Sequence, residues 1–144
     1  MSWLVDTNVL SELRKGERAD QGIQAWFASA DDADIYTSVL VLGEIRRGID
    51  SIRRRDPASA LALEQWLVRV ATGFGERILP IDVRVADRWG MLNVPDPVST
   101  VDGLLAATAL VHDLVFVTRN VRDVAATGVQ VLDPSIGRRP GRHD

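Results

Sequence analysis

Short apolar runs, too brief to be helices, alternate along this chain with segments whose apolar residues recur at helical spacing. Residues 2–5 form the first run and end at Asp6; Thr7 and Asn8 open a short helix to residue 14, which Lys15-Gly16 stops. Residues 21–30 read as a helix with Ile23, Trp26 and Phe27 on one face, and residues 35–37 as a strand. Ser38 can cap a helix over 39–49, and Pro57 suits the first turn of another reaching about residue 71. Residues 78–81 form a strand that Pro80 marks as short or at an edge. A helix over 83–92, a loop at 95–97 and a helix over 99–112 follow. The chain then has a buried strand at 115–117, one helical turn at 121–125 and a last strand at 130–132.

Strands separated by helices are joined by right-handed crossovers, which make a mostly parallel sheet with helices on its faces. The expected fold is α/β, a three-layer sandwich on a mostly parallel sheet of four or five strands. A chain of 144 residues suits one domain, expected over 1–134, with 135–144 as a flexible tail that lacks apolar residues from Gly137 onward. Ligands of such sheets bind at the carboxyl ends of the strands, where the strand order reverses. Chemistry is to be sought there.

The composition narrows that chemistry. There is no cysteine, which removes disulfides, thiolate zinc sites and cysteine nucleophiles and fits a reducing cytoplasm. Two histidines, His112 and His143, do not make a histidine metal site, so catalysis must rest on Asp, Glu, Ser, Thr and Arg. No apolar run approaches the ~20 residues that span a bilayer, and the N-terminus runs straight into a strand rather than a secretory signal. A net charge of −3 argues against a broad phosphate-binding face. A carboxylate-lined site would itself contribute to that charge.

Four acids occupy telling positions. Asp6 ends the first strand; the alternative reading is a helix N-cap. Glu44 shares a helical face with Val41, Ile45 and Gly48, where an unpaired charge is costly, unless a distant arginine pairs it. Asp102 shares a face with Leu105, Ala106 and Ala109, and with Ser99 it also reads as a capping box. Asp123 follows the buried strand in a polar cluster, where an ordinary turn or an ion pair to Arg119 or Arg122 is the alternative. Were all four to meet about 5 Å apart, each ionised pair would repel by about 3 kcal/mol at an effective dielectric of about 20. Six such pairs exceed the ~5–15 kcal/mol by which a domain is stable, so protons or a cation must intervene. All-oxygen ligation suits a hard divalent ion, Mg²⁺ or Mn²⁺.

Four ordered segments resemble the PIN-domain nucleases, and within them the VapC toxins: residues 4–13 (LVDTNVLSEL), 37–48 (TSVLVLGEIRRG), 101–109 (VDGLLAATA) and 117–123 (VTRNVRD). The resemblance covers about residues 2–134. It implies an endoribonuclease dependent on Mg²⁺ or Mn²⁺, usually a homodimer, silenced by a small antitoxin protein. Asp6 and Asp102 would be the central metal ligands, with Glu44 and Asp123 completing the acidic pocket. Thr7, Asn8, Thr118 and Asn120 would line it and orient water or phosphate. Arg119 would contact phosphate, or else form a structural ion pair. The helices over 39–49 and 58–71 would grip the antitoxin through Leu61, Leu63, Trp66, Leu67 and Val70, unless these side chains simply pack on the sheet.

Other readings fit less well. A haloacid-dehalogenase phosphatase needs a second Asp where Asn8 stands, and a downstream lysine; Lys15 is the only one. A receiver domain needs paired early acids and a late lysine. A PIN-like module that has lost catalysis and serves RNA binding or protein interaction should lack one or more acids, and all four are present.

Overall fold

The computed structural model describes residues 1–136, so most of the expected tail, 137–144, lies outside the described residues. Five strands, β1 (Trp3–Val5), β2 (Ile35–Ser38), β3 (Ile78–Leu79), β4 (Val115–Val117) and β5 (Val131–Leu132), make one sheet in the order β3-β2-β1-β4-β5. Every neighbouring pair is parallel; Trp3 lies opposite both Ile35 and Val115, and Val5 opposite Val117. Strands covered on both faces need no polar side, which is why the central runs are unbrokenly apolar. Leu4, Val5, Phe116 and Val117 are fully buried or nearly so. The two-residue β3 sits at the edge and stops before Pro80.

The helices are α1 (Thr7–Leu13), α2 (Gln21–Ser29), α3 (Val39–Ile52), α4 (Pro57–Phe74), α5 (Val83–Leu92) and α6 (Thr100–Val111), with a 3-10 helix at Val121–Thr127. The chain moves from β1 to β2 to β3 toward one edge, then returns across β1 to lay down β4 and β5. Right-handed crossovers therefore put α1 to α4 on one face and α5, α6 and the 3-10 helix on the other. The contacts agree: α1 touches α2 and α3, α3 touches α4, α5 touches α6, and α6 touches the 3-10 helix. The strand order reverses at β1 and β4, and the crevice for ligands opens beyond their carboxyl ends.

Two helices outrun their expected ends. In α3 the buried series Val41, Ile45, Ile49 continues to the half-buried Ile52. In α4 the helix stops only at Gly75, whose positive φ of 54° suits glycine and whose N–H donates to the Ala71 carbonyl. The expected tail starts as anchored chain: Ser135 is buried, and the Ile136 N–H donates to the Asp20 carboxylate at 3.1 Å.

Candidate metal centre

Asp6 is placed by the sheet. Its own N–H donates to the Val117 carbonyl at 2.9 Å, carrying the β1–β4 pairing one residue past the strand. Its side chain, 6% exposed, accepts from the Thr7 N–H at 2.7 Å and from the Thr118 hydroxyl at 2.8 Å, with the Asn8 amide at 3.4 Å. Asp6 is thus the N-cap of α1 and the floor of the crevice at once; the two sequence readings are compatible. Burial pushes its carboxyl above the usual range; the Thr118 and Thr7 hydrogen bonds oppose this, and the charges of Glu44 and Asp102 add to it. Asp6 is therefore within reach of the charges of two acids more than thirty residues away in the chain.

Glu44 does not face the core as its spacing suggests. The buried stripe of α3 is Val41, Ile45 and Ile49; Glu44 and Gly48 are exposed at its margin. The Glu44 carboxylate reaches the crevice rim, where the Thr7 hydroxyl donates to it at 2.6 Å. Asp102 is half-buried in the first turn of α6. The expected capping box is absent: the Ser99 hydroxyl accepts no helix N–H and instead donates to Asp102 Oδ2 at 2.6 Å. Asp123 lies in the first turn of the 3-10 helix, exposed, its side chain without a hydrogen bond or ion pair among the described residues.

Arg119 takes the ion-pair alternative. Its guanidinium, 14% exposed, donates to Glu12 at 3.1 Å, while its backbone N–H donates to the Asn8 side-chain carbonyl at 3.1 Å. Its Nε is buried without a hydrogen-bond partner among the described residues. Thr7, Asn8 and Thr118 spend their polar atoms on the protein, orienting carboxylates and the loop after β4. Only Asn120 is exposed there with its amide uncommitted among the described residues.

Glu12 escaped the sequence reading. It is 9% exposed and accepts from Lys15 at 2.9 Å, the Asp20 N–H at 2.8 Å and Arg119. Its spacing to Lys15, three residues on, was the available signal. The contrast with the crevice acids is chemical. Glu12 is held by cations, whereas Asp6, Glu44 and Asp102 are held by hydroxyls and amides and have no cationic partner among the described residues. No three of the described acids already converge into a finished cage. Their donor set is nonetheless all oxygen, negatively charged and uncompensated, which fits a hard divalent ion that keeps several waters.

A cavity of about 340 Å³ lies away from this crevice, between α1, α2 and α4. Leu10, Leu13, Phe27, Trp66, Val70 and Phe74 contribute its apolar walls, and Arg14 lies 5.9 Å from the centroid of the Trp66 ring. Of the five α4 candidates for partner binding, Trp66 and Val70 line this groove. Leu63 and Leu67 pack half-buried on the core, and Leu61 is 57% exposed outside it. No helix among the described residues is long and apolar enough to cross a membrane.

A model of the PIN domain matches residues 3–127. The chain is 30% identical over 138 residues to the toxin FitB of Neisseria gonorrhoeae, covering 91% of this chain and 96% of that protein. It is 28% identical over 138 residues to the VapC ribonuclease Y4jK of Sinorhizobium fredii, with the same coverage. Among solved structures, a toxin–antitoxin complex from Klebsiella pneumoniae contains a chain that superposes with a TM-score of 0.68 at 28% identity, covering 92% of this chain and 98% of that one.

Proposed function

The chain belongs to the PIN-domain family, and from that premise we propose that it is a metal-dependent endoribonuclease, the toxin of a toxin–antitoxin pair, acting in the cytoplasm as a homodimer. The observation that carries this reading is the set of three carboxylates without a cationic partner among the described residues, Asp6, Glu44 and Asp102, held by hydroxyls beside the strand-order reversal. These three would hold Mg²⁺ or Mn²⁺, with Asp123 completing the pocket from the 3-10 helix. A divalent ion bound there would neutralise phosphodiester oxygens and lower the pKa of a water. The chain's own part is to keep the oxygens aimed. Thr118 and the Thr7 N–H fix Asp6, the Thr7 hydroxyl fixes Glu44, and Asn8 ties the loop after β4 to the start of α1.

The partner is a small antitoxin protein, as the neighbouring toxin–antitoxin complex suggests. The apolar groove beside α4 would take an apolar segment of it, with Arg14 and Arg69 at the margin favouring acidic residues alongside.

The test is incubation of a structured RNA with Mn²⁺ or Mg²⁺. Cleavage by the native chain, abolished by EDTA and by Asp6→Ala, is expected. Cleavage that survives both controls comes from another nuclease and overturns the reading. RNA binding without cleavage under any of these conditions would make the chain a catalytically silent RNA-binding module.

A further inference from the structure

Each of these three acids accepts from one hydroxyl: Asp6 from Thr118 and Glu44 from Thr7, both of other segments, and Asp102 from Ser99 at the start of its own helix. Ser99 is the informative member, because its position sets an expectation that it breaks. It stands at the N-cap of α6, where a serine ordinarily accepts a first-turn N–H. The N-cap side chains of α1, α2, α3, α4 and α5 all do this; Ser38, for example, accepts the Leu40 N–H at 3.0 Å. Ser99 alone among these six caps makes no side-chain cap bond, and α6 starts with the Gly103 N–H donating to the Ser99 carbonyl at 2.8 Å. Its hydroxyl is turned to Asp102 Oδ2 instead.

A hydrogen bond between an exposed serine and a half-buried carboxylate contributes little to folding, since water replaces it at small cost. It does restrict the carboxylate's rotamers. A neutral donor does so without cancelling the charge, which the cation pairs of Glu12 and Glu64 would do. We propose, resting on the metal-centre reading above, that Ser99 is a positioning residue whose hydroxyl holds the Asp102 carboxylate ready for the divalent cation. A carboxylate already ordered loses less side-chain entropy on binding, so the effect belongs in cation affinity rather than in fold stability.

The experiment uses the full chain and Mn²⁺ alone, titrated calorimetrically into the native protein, Ser99→Ala, Ser99→Thr and Asp102→Asn, with metal-free melting of each. Ser99→Ala is expected to melt within about 1 °C of native and to bind Mn²⁺ about 3- to 10-fold more weakly, the worth of one hydrogen bond. Ser99→Thr, which keeps the hydroxyl, should return the affinity to within about 2-fold of native. Native-like Mn²⁺ binding by Ser99→Ala, with binding lost in Asp102→Asn, overturns the positioning role and leaves the metal centre standing. So does a Ser99→Thr variant as weak as Ser99→Ala. Native-like binding by Asp102→Asn overturns the metal-centre reading itself, and this proposal with it.

Discussion

Glu12 and Glu44 carry the same carboxylate, yet Glu12 is buried among Lys15, Arg119 and a backbone N–H, while Glu44 is exposed with a single hydroxyl donor. The Lys15 hydrogen bond is the main reason that the Glu12 carboxyl lies below its ordinary value; burial works against the shift, and the Asp20 N–H and the charges of Lys15 and Arg119 add to it. A depressed folded-state value means stability that is present above the unfolded value near 4.5 and lost as pH falls through the folded one. Glu12→Gln should cost about 1–3 kcal/mol near neutrality, the usual penalty for a broken buried charged hydrogen-bond set. The gap to the native melting temperature should narrow as pH falls below the unfolded value and through the depressed folded one, and a gap independent of pH in a pH series of melts would refute this. Asp6 has the opposite sign. Burial raises its carboxyl, so ionised Asp6 opposes folding, and metal-free Asp6→Asn should melt no lower than native.

At the scale of elements, the join between α2 and the chain after β5 is the most tightly specified. A Cβ on Gly22 would lie 2.1 Å from the Pro134 carbonyl oxygen and 2.9 Å from Ile136 Cγ2. Gly22→Ala should therefore destabilise by about 1–3 kcal/mol despite alanine's better helix propensity, seen as a lower urea midpoint. The elements themselves were largely legible in the sequence. Parallel strands buried on both faces show as bare apolar runs, and helices show their period. What was not legible was side-chain direction at the margins. Glu44 follows Val41 by three residues, but only the packing of α3 on its neighbours decides that the buried stripe runs through Ile45 and Ile49 instead. Ser99 three residues before Asp102 matches a capping box in letters, and only the folded chain turns its hydroxyl toward the acid.

For the whole molecule, a cation that binds the native crevice and not the unfolded chain must raise the melting temperature. Stabilisation should approach about 2.7 kcal/mol at a hundred times the dissociation constant and vanish with EDTA. No shift in millimolar Mn²⁺ would remove the support for a preformed site. The groove beside α4 lies apart from the crevice, so Trp66→Ala should weaken antitoxin binding by at least about tenfold while leaving RNA cleavage near native, measured side by side. Equal loss of both would mean that Trp66 serves the fold.

The amino-acid order alone determined the α/β sandwich and the parallel sheet and put Asp6 at the end of its first strand, because period and strand-end position are local properties that no partner alters. Tertiary structure decided which oxygens meet and what holds them. Arg119 could have paired with any of several acids and meets Glu12, and Glu44 could have faced the core and instead meets the Thr7 hydroxyl. Such choices depend on distances between segments up to about a hundred residues apart, which spacing along one chain does not encode.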